Sequence, residues 1–184
     1  MPARPGPLLD LRDIAAALGL LTRLPVKVNT GFAIARGAGA AWAWPLAGLA
    51  VAVTAGGAGW IAQAAGLPAT LAAGLVLGLQ ALLTGAMHED GLADCADGLW
   101  GGWSRARRLE IMKDSHIGSY GVLALVLATG LRWQALLLLL PLGATGWGIW
   151  LGACMISRGA MVAVMAALPR ARPGGLSATA GRPS

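Results

Sequence analysis

Charge disappears from this chain over long stretches, and those stretches define its elements. From Gly37 to Met87 there are 51 residues without an Asp, Glu, Lys or Arg. A membrane-crossing helix uses about 20 apolar residues, so this run predicts two, broken at Gly66-Leu67-Pro68. The first is expected near residues 41–63 and the second near 69–87, paired as an antiparallel hairpin across a very short turn. A second apolar region starts at Ile117, is interrupted by Arg132 and resumes from Trp133 to Ser157. Pro141 and Gly143 mark a turn within it, predicting spans near 118–140 and 145–168. Arg132 is expected to snorkel to the outer interface. Ahead of the first span, residues 10–24 predict a short helix, capped by Asp10 and stopped by Pro25. It is too short to span and is expected at the interface. The predicted fold is all-α: a polytopic transmembrane helical bundle of about four spans plus an N-terminal interfacial helix, as one integral-membrane domain over residues 1–184.

Composition supports that class. The chain is 57% apolar and 12% charged, against about 45–50% and about 25% in soluble domains. A soluble globule would lack polar cover, and a disordered chain would be poor in apolar residues. The 28 glycines follow no G-X-Y period, which excludes collagen. Gly48, Gly56, Gly59, Gly74 and Gly78 are expected to let helices approach closely. Trp42, Trp44, Trp60, Trp133, Trp147 and Trp150 read as an aromatic belt. Cys95 and Cys154 have no ligand spacing and read as unlinked thiols. At the N-terminus, Ile14–Leu21 is a short apolar stretch that follows two acids, unlike a secretory signal.

The net charge of +6 would suggest nucleic acid in a soluble protein. Here its distribution gives topology instead. Residues 1–36 hold five Lys/Arg, 88–119 four and 158–184 four, while the turns near 64–68 and 141–144 hold none. The positive-inside rule then places both ends and the central segment in the cytoplasm, with Arg132 the one exception. No nucleic-acid partner is expected; the lipid bilayer is, and a homo-oligomer is left open.

The chemistry lies in residues 85–121. Residues 88–116 hold six of the eight acids in the chain. Asp90, Asp94 and Asp97 recur at i, i+4, i+7, which on a helix continuing from the second span puts them within an arc of roughly 60°. Like charges on one face repel, and a divalent cation with hard oxygen ligands, Mg²⁺ or Mn²⁺, relieves that. Gly91, Ala93, Ala96 and Gly98 leave room beside them. A solvated helix end is the alternative, but ionisable groups at membrane depth tend to be functional. Glu89 and His88 point away from Asp90 by roughly 100° and 160°. His88 reads either as a proton-transfer or supporting group or as an interfacial histidine. With two histidines and no Cys pair, zinc is not expected. Arg105, Arg107 and Arg108 suit either inside-positive charge or phosphate recognition. Arg158, in or at the end of the fourth span, either snorkels or pairs with a phosphate or the acids.

These residues resemble a known family. His88-x-Asp90-Gly91-Leu92-Ala93-Asp94-x-x-Asp97-Gly98, then Arg108-Leu109-Glu110-Ile111-Met112-Lys113-Asp114-Ser115 and Gly118-x-Tyr120-Gly121, are similar to the cobalamin synthase family (adenosylcobinamide-GDP ribazoletransferase). Leu21-Thr22-Arg23-Leu24-Pro25-Val26, Trp44-Pro45-Leu46-Ala47-Gly48 and Ser157-Arg158-Gly159-Ala160-Met161 extend the likeness over nearly the whole chain. Glu89 and His116 depart from the expected pattern without disturbing the Asp spacing. The resemblance implies a Mg²⁺-dependent enzyme of a bacterial inner membrane, its active site facing the cytoplasm. Such an enzyme joins adenosylcobinamide-GDP to α-ribazole or its 5′-phosphate and releases GMP. On this reading Asp90, Asp94 and Asp97 are expected as metal ligands, Asp97 or Asp114 as proton acceptor with His88 beside them, and Arg108, Lys113 and Arg158 as phosphate-binding groups. Residues 171–184, rich in Pro, Gly and Ser, read as a flexible tail where other members continue into further helices, so truncation is expected there. Two alternatives stand beside this reading. A CDP-alcohol phosphotransferase would show Ala-Arg after Asp-Gly, where this chain has Ala93-Asp94. A small ion-binding transporter would show an inverted repeat, which is not visible.

Overall fold

The fold is given by a computed structural model that describes residues 8–183, among which every regular element is helical. In chain order these are α1 (Arg12–Leu21), α2 (Thr30–Arg36), a 3₁₀ segment (Gly37–Ala43), α3 (Trp44–Ala64), α4 (Ala69–Thr84), α5 (Met87–Gly101), α6 (Arg105–Ile111), α7 (Ser119–Leu139), a 3₁₀ turn (Leu140–Leu142), α8 (Gly143–Ala167) and α9 (Leu176–Ala180). The four apolar segments read from the sequence recur as α3, α4, α7 and α8. Their turns fall where expected, with Gly66 (φ +95°) and Gly143 (φ +53°) in the left-handed half of backbone space, where an L side chain is strained.

Two helical runs, Thr30–Ala64 and Ser119–Ala167, are long and apolar enough to cross a membrane, and the pair α4 and α5 makes a third if taken as one bent span. The bend is a correction. The acidic helix does not continue the second span: Gly85 (φ 64°) and Ala86 (φ 55°) are both left-handed, and α5 leaves α4 at 88°. Alone, the 16 residues of α4 reach about 24 Å, short of a hydrocarbon core of about 30 Å. Along α7, Leu123, Val126, Leu127, Leu131 and Leu138 are exposed, a surface suited to lipid rather than water.

The chain divides into two compact units, one of residues 52–150 and one of residues up to Val51 and from Leu151 onward. In the second, α1 is amphipathic and ends where the Thr22 hydroxyl turns back to Leu18 O at 2.6 Å. Asp10 precedes it as expected and accepts from the Arg12 backbone N–H at 2.9 Å; the Arg12 guanidinium bonded to it lowers its carboxyl to about 2. Asp13 is fully buried. It accepts from Arg36 Nε and Nη2, both at 2.8 Å, and from Trp42 Nε1 at 2.7 Å. The Arg36 hydrogen bonds hold its carboxyl below the usual carboxylate range against the opposing effect of burial, as a buried charge requires. Trp42 is therefore a hydrogen-bond donor to this pair rather than part of a belt, and Trp44 and Trp150 are buried. Gly48 lies where a Cβ would meet Cys154 O at 2.6 Å, so α3 and α8 pack backbone to backbone. At the C-terminal end, α9 seats Ala180 O where a Cβ on Gly37 would be, at 2.5 Å, and Arg182 Nε donates to Ala166 O at 2.9 Å. Ser184 lies outside the described residues.

In the 52–150 unit, Gly56 and Gly59 admit Trp147, and Gly59 also admits Val76. Gly74 and Gly78, expected to do the same, meet no heavy atom within 4 Å among the described residues. Cys95 and Cys154 form no disulfide, as expected.

Candidate active site

The site is built on α5. This helix runs back along α7 in the opposite direction, because Asp97 meets Gly118 and Gly121 at one end and Glu89 meets Arg132 at the other. At its C-terminal end, Gly98 and Gly102 let α6 lie close: a Cβ on Gly98 would strike Met112 and one on Gly102 would strike Arg108. Gly98 is thus filled by α6 rather than open to a ligand. Arg108 Nε donates to Gly102 O at 2.8 Å, which ties α6 to the end of α5. Ser104 caps α6 by accepting from Arg107 N at 3.2 Å.

Between α5 and the segment joining α6 to α7 is a cavity of about 530 Å³, lined by Glu89, Asp90, Ala93, Asp94, Lys113, Asp114, Ser115 and His116, with Ala86, Met112, Ile117 and Leu125 as its apolar part. Its volume falls within the range of small-ligand sites, roughly 300–1,000 Å³. Asp90 and Asp94 are one helical turn apart, so both carboxylates reach the same side. Lys113 stands across from them on the joining segment. Asp114 and His116 form a pair: His116 Nδ1 is 2.6 Å from Asp114 Oδ1, and the same oxygen accepts from the His116 backbone N–H at 3.1 Å. The His116 hydrogen bond lowers the Asp114 carboxyl, and Asp114 raises the His116 imidazole above its ordinary 6.5.

Asp97 does not line this cavity. It is buried, 8% exposed, and its oxygens accept from Gly118 N at 2.7 Å and Gly121 N at 2.9 Å. Gly118 is the residue that caps α7 and has no side chain with which to do so. The Asp97 carboxylate fills that role from another helix and places negative charge at the positive end of α7. The shared helical face therefore splits: Asp90 and Asp94 line the cavity, and Asp97 is bonded to the start of α7. Among the described residues no three His, Cys, Asp or Glu side chains form a ready metal cage.

Arg132, expected at the outer interface, instead reaches inward. Its Nη1 donates to Glu89 at 2.9 Å and its Nη2 to Gln80, joining α7 to α5 and α4. A lone arginine in an apolar helix needs such a partner, and Glu89 was the one acid off the shared face. Among the other expected site residues, His88 is half-buried on the first turn of α5 and is not among those lining the cavity. Arg158 belongs to the other unit, where its Nη1 donates to Ser157 Oγ at 2.8 Å. His116, read from the sequence only as a departure from the family pattern, lines the cavity beside Asp114.

The chain matches the family model described as cobalamin-5-phosphate synthase over residues 13–183. Curated relatives named adenosylcobinamide-GDP ribazoletransferase are similar throughout. The protein from Bradyrhizobium diazoefficiens is 47% identical over 176 residues, covering 94% of this chain and 66% of its own length. That from Rhizobium meliloti is 45% identical over 174 residues, covering 93% and 66%. That from Brucella canis is 42% identical over 177 residues, covering 93% and 67%. The chain thus spans about two thirds of the length of the curated relatives it matches. No solved structure matches.

Proposed function

We propose that this chain, which belongs to the cobalamin-5-phosphate synthase family, joins adenosylcobinamide-GDP to α-ribazole, or its 5′-phosphate, with release of GMP. The observation that supports this reading is the cavity that Asp90 and Asp94 on α5 line together with Lys113 on the joining segment. Two carboxylates and a cation fit a substrate pyrophosphate with its metal better than they fit an apolar ligand.

Mg²⁺ suits the donor set, because it takes one or two carboxylates and completes its shell with water and substrate phosphates rather than with an all-protein cage. Asp90 and Asp94 would hold it, and when bound it would neutralise charge on the pyrophosphate. Lys113 binds a phosphate oxygen as a point charge. Arg108 and Asp97 act on the protein itself, Arg108 by holding α6 to α5 and Asp97 by holding the start of α7, so that the joining segment presents Lys113 and its neighbours to the cavity.

Membranes containing this chain, supplied with adenosylcobinamide-GDP, α-ribazole and Mg²⁺, are expected to release GMP and form a complete corrinoid. Absence of both products overturns the reading. We place the chain in a bacterial inner membrane with the cavity on the cytoplasmic side, from the distribution of Lys and Arg. In sealed vesicles, Ser104→Cys and Gly66→Cys in a background lacking Cys95 and Cys154 are expected to be labelled from opposite sides. Labelling of both from one side removes this topology.

A further inference from the structure

His116 is outside the roles assigned so far, yet it lines the same cavity as Asp90, Asp94 and Lys113. Asp114 Oδ1 engages both its backbone N–H and its Nδ1. A carboxylate at Nδ1 fixes the proton there and leaves the Nε2 lone pair as the basic site. The other candidates for a base are less suitable. Asp97 is buried and bonded to two backbone amides. Glu89 is bonded to Arg132. Asp90 and Asp94 suit the cation, and the Asp114 carboxyl is held below its usual range by His116. An imidazole is the group whose proton affinity matches neutral pH.

We propose, resting on the transferase reading above, that His116 is the general base of the transfer and Asp114 its positioning residue. The ribose hydroxyl of α-ribazole loses its proton to Nε2 as its oxygen bonds to the phosphorus that carries cobinamide. The bond from that phosphorus to the bridging oxygen breaks, and its electron pair leaves with GMP. The imidazolium then gives its proton to water.

The charged groups that line the cavity with His116 are Glu89, Asp90 and Asp94 on α5 and Lys113 and Asp114 on its own segment; Arg107 on α6 acts on Asp114, and α7 contributes Leu125. Asp114 raises the imidazole, and a base must be neutral, so turnover should rise with pH along a limb centred above 6.5. Asp114→Asn removes the raising partner and should move that limb to lower pH. His116 is 90% exposed, so His116→Gln and His116→Gly should fold as the parent does, verified by melting in detergent.

The test is GMP release by membranes bearing the parent chain, H116Q, H116G and D114N, measured from pH 5.5 to 9. H116Q should lower kcat by about 10²-fold or more and abolish the acid limb; added imidazole should restore part of the H116G rate. H116Q within twofold of the parent, an unmoved limb in D114N, or no imidazole rescue each overturns the inference while leaving the transferase reading intact. No GMP from the parent chain overturns both.

Discussion

Asp90→Asn and Asp94→Asn are each expected to lower GMP release by about 10²-fold or more, the scale of losing strong electrostatic stabilisation at a reacting centre. The Mg²⁺ concentration needed for half-maximal rate should rise in both, and chelation of Mg²⁺ should silence the parent chain. The folded state should hold. Both residues lie on the cavity side of α5, their separation of one turn makes them repel, and an amide of the same shape relieves that repulsion. Glu89→Gln would be a poor control despite its place off the shared face, because Glu89 is bonded to Arg132 and its change strikes the junction of α5 with α7. Glu110 is the better one: it is exposed and its carboxylate pairs with Arg107, at 2.8 Å on the surface of α6, so Glu110→Gln should leave the rate near that of the parent. Full activity in D90N and D94N would remove the metal from this cavity.

The parts of the fold that were legible were those with a local cause. Long uncharged runs and the breaks at Gly66-Leu67-Pro68 and Pro141–Gly143 located α3, α4, α7 and α8, because apolar length and helix-breaking residues act within a few positions. The 88° turn after Thr84 was not legible. It falls at Gly85–Ala86 with neither proline nor charge, and an alanine at positive φ has no sequence signature. The cavity was half legible. Helical spacing put Asp90, Asp94 and Asp97 on one face, but it could not show that the far end of that face meets the start of α7, 21 residues on from Asp97. The two long-range ion pairs, one buried and one half-buried, were not legible for the same reason. Asp13 finds Arg36 23 residues away and Glu89 finds Arg132 43 residues away, and each had a bland local explanation as a helix-end acid or a snorkelling base. A charge among apolar residues demands a counter-charge, and that demand was the available clue.

Asp97→Ala is expected to lower stability by about 3 kcal/mol, because it strips a charged acceptor from two backbone donors, half-buried Gly118 and buried Gly121, and removes the cap of α7. In a chain of this length that is a fall in melting temperature on the order of 10 °C. Asp97→Asn should rescue only part of it, since an amide presents one oxygen and turns its NH₂ toward the second backbone N–H. Gly118→Ala and Gly121→Ala provide an independent route to the same damage. A Cβ at either position would overlap the Asp97 carboxylate, so each should be destabilising although every acid in the chain is left in place. The comparison with Asp90 and Asp94 is the sharp one. A metal ligand should lose rate and keep its melting temperature, whereas a capping carboxylate should lose melting temperature first, with the rate falling as the joining segment loosens. If D97A melted with the parent while its Mg²⁺ requirement rose as in D94N, Asp97 would be a third ligand and its contacts with Gly118 and Gly121 would be incidental. If the two glycine variants were as stable as the parent, the capping account of α7 would fail on its own terms.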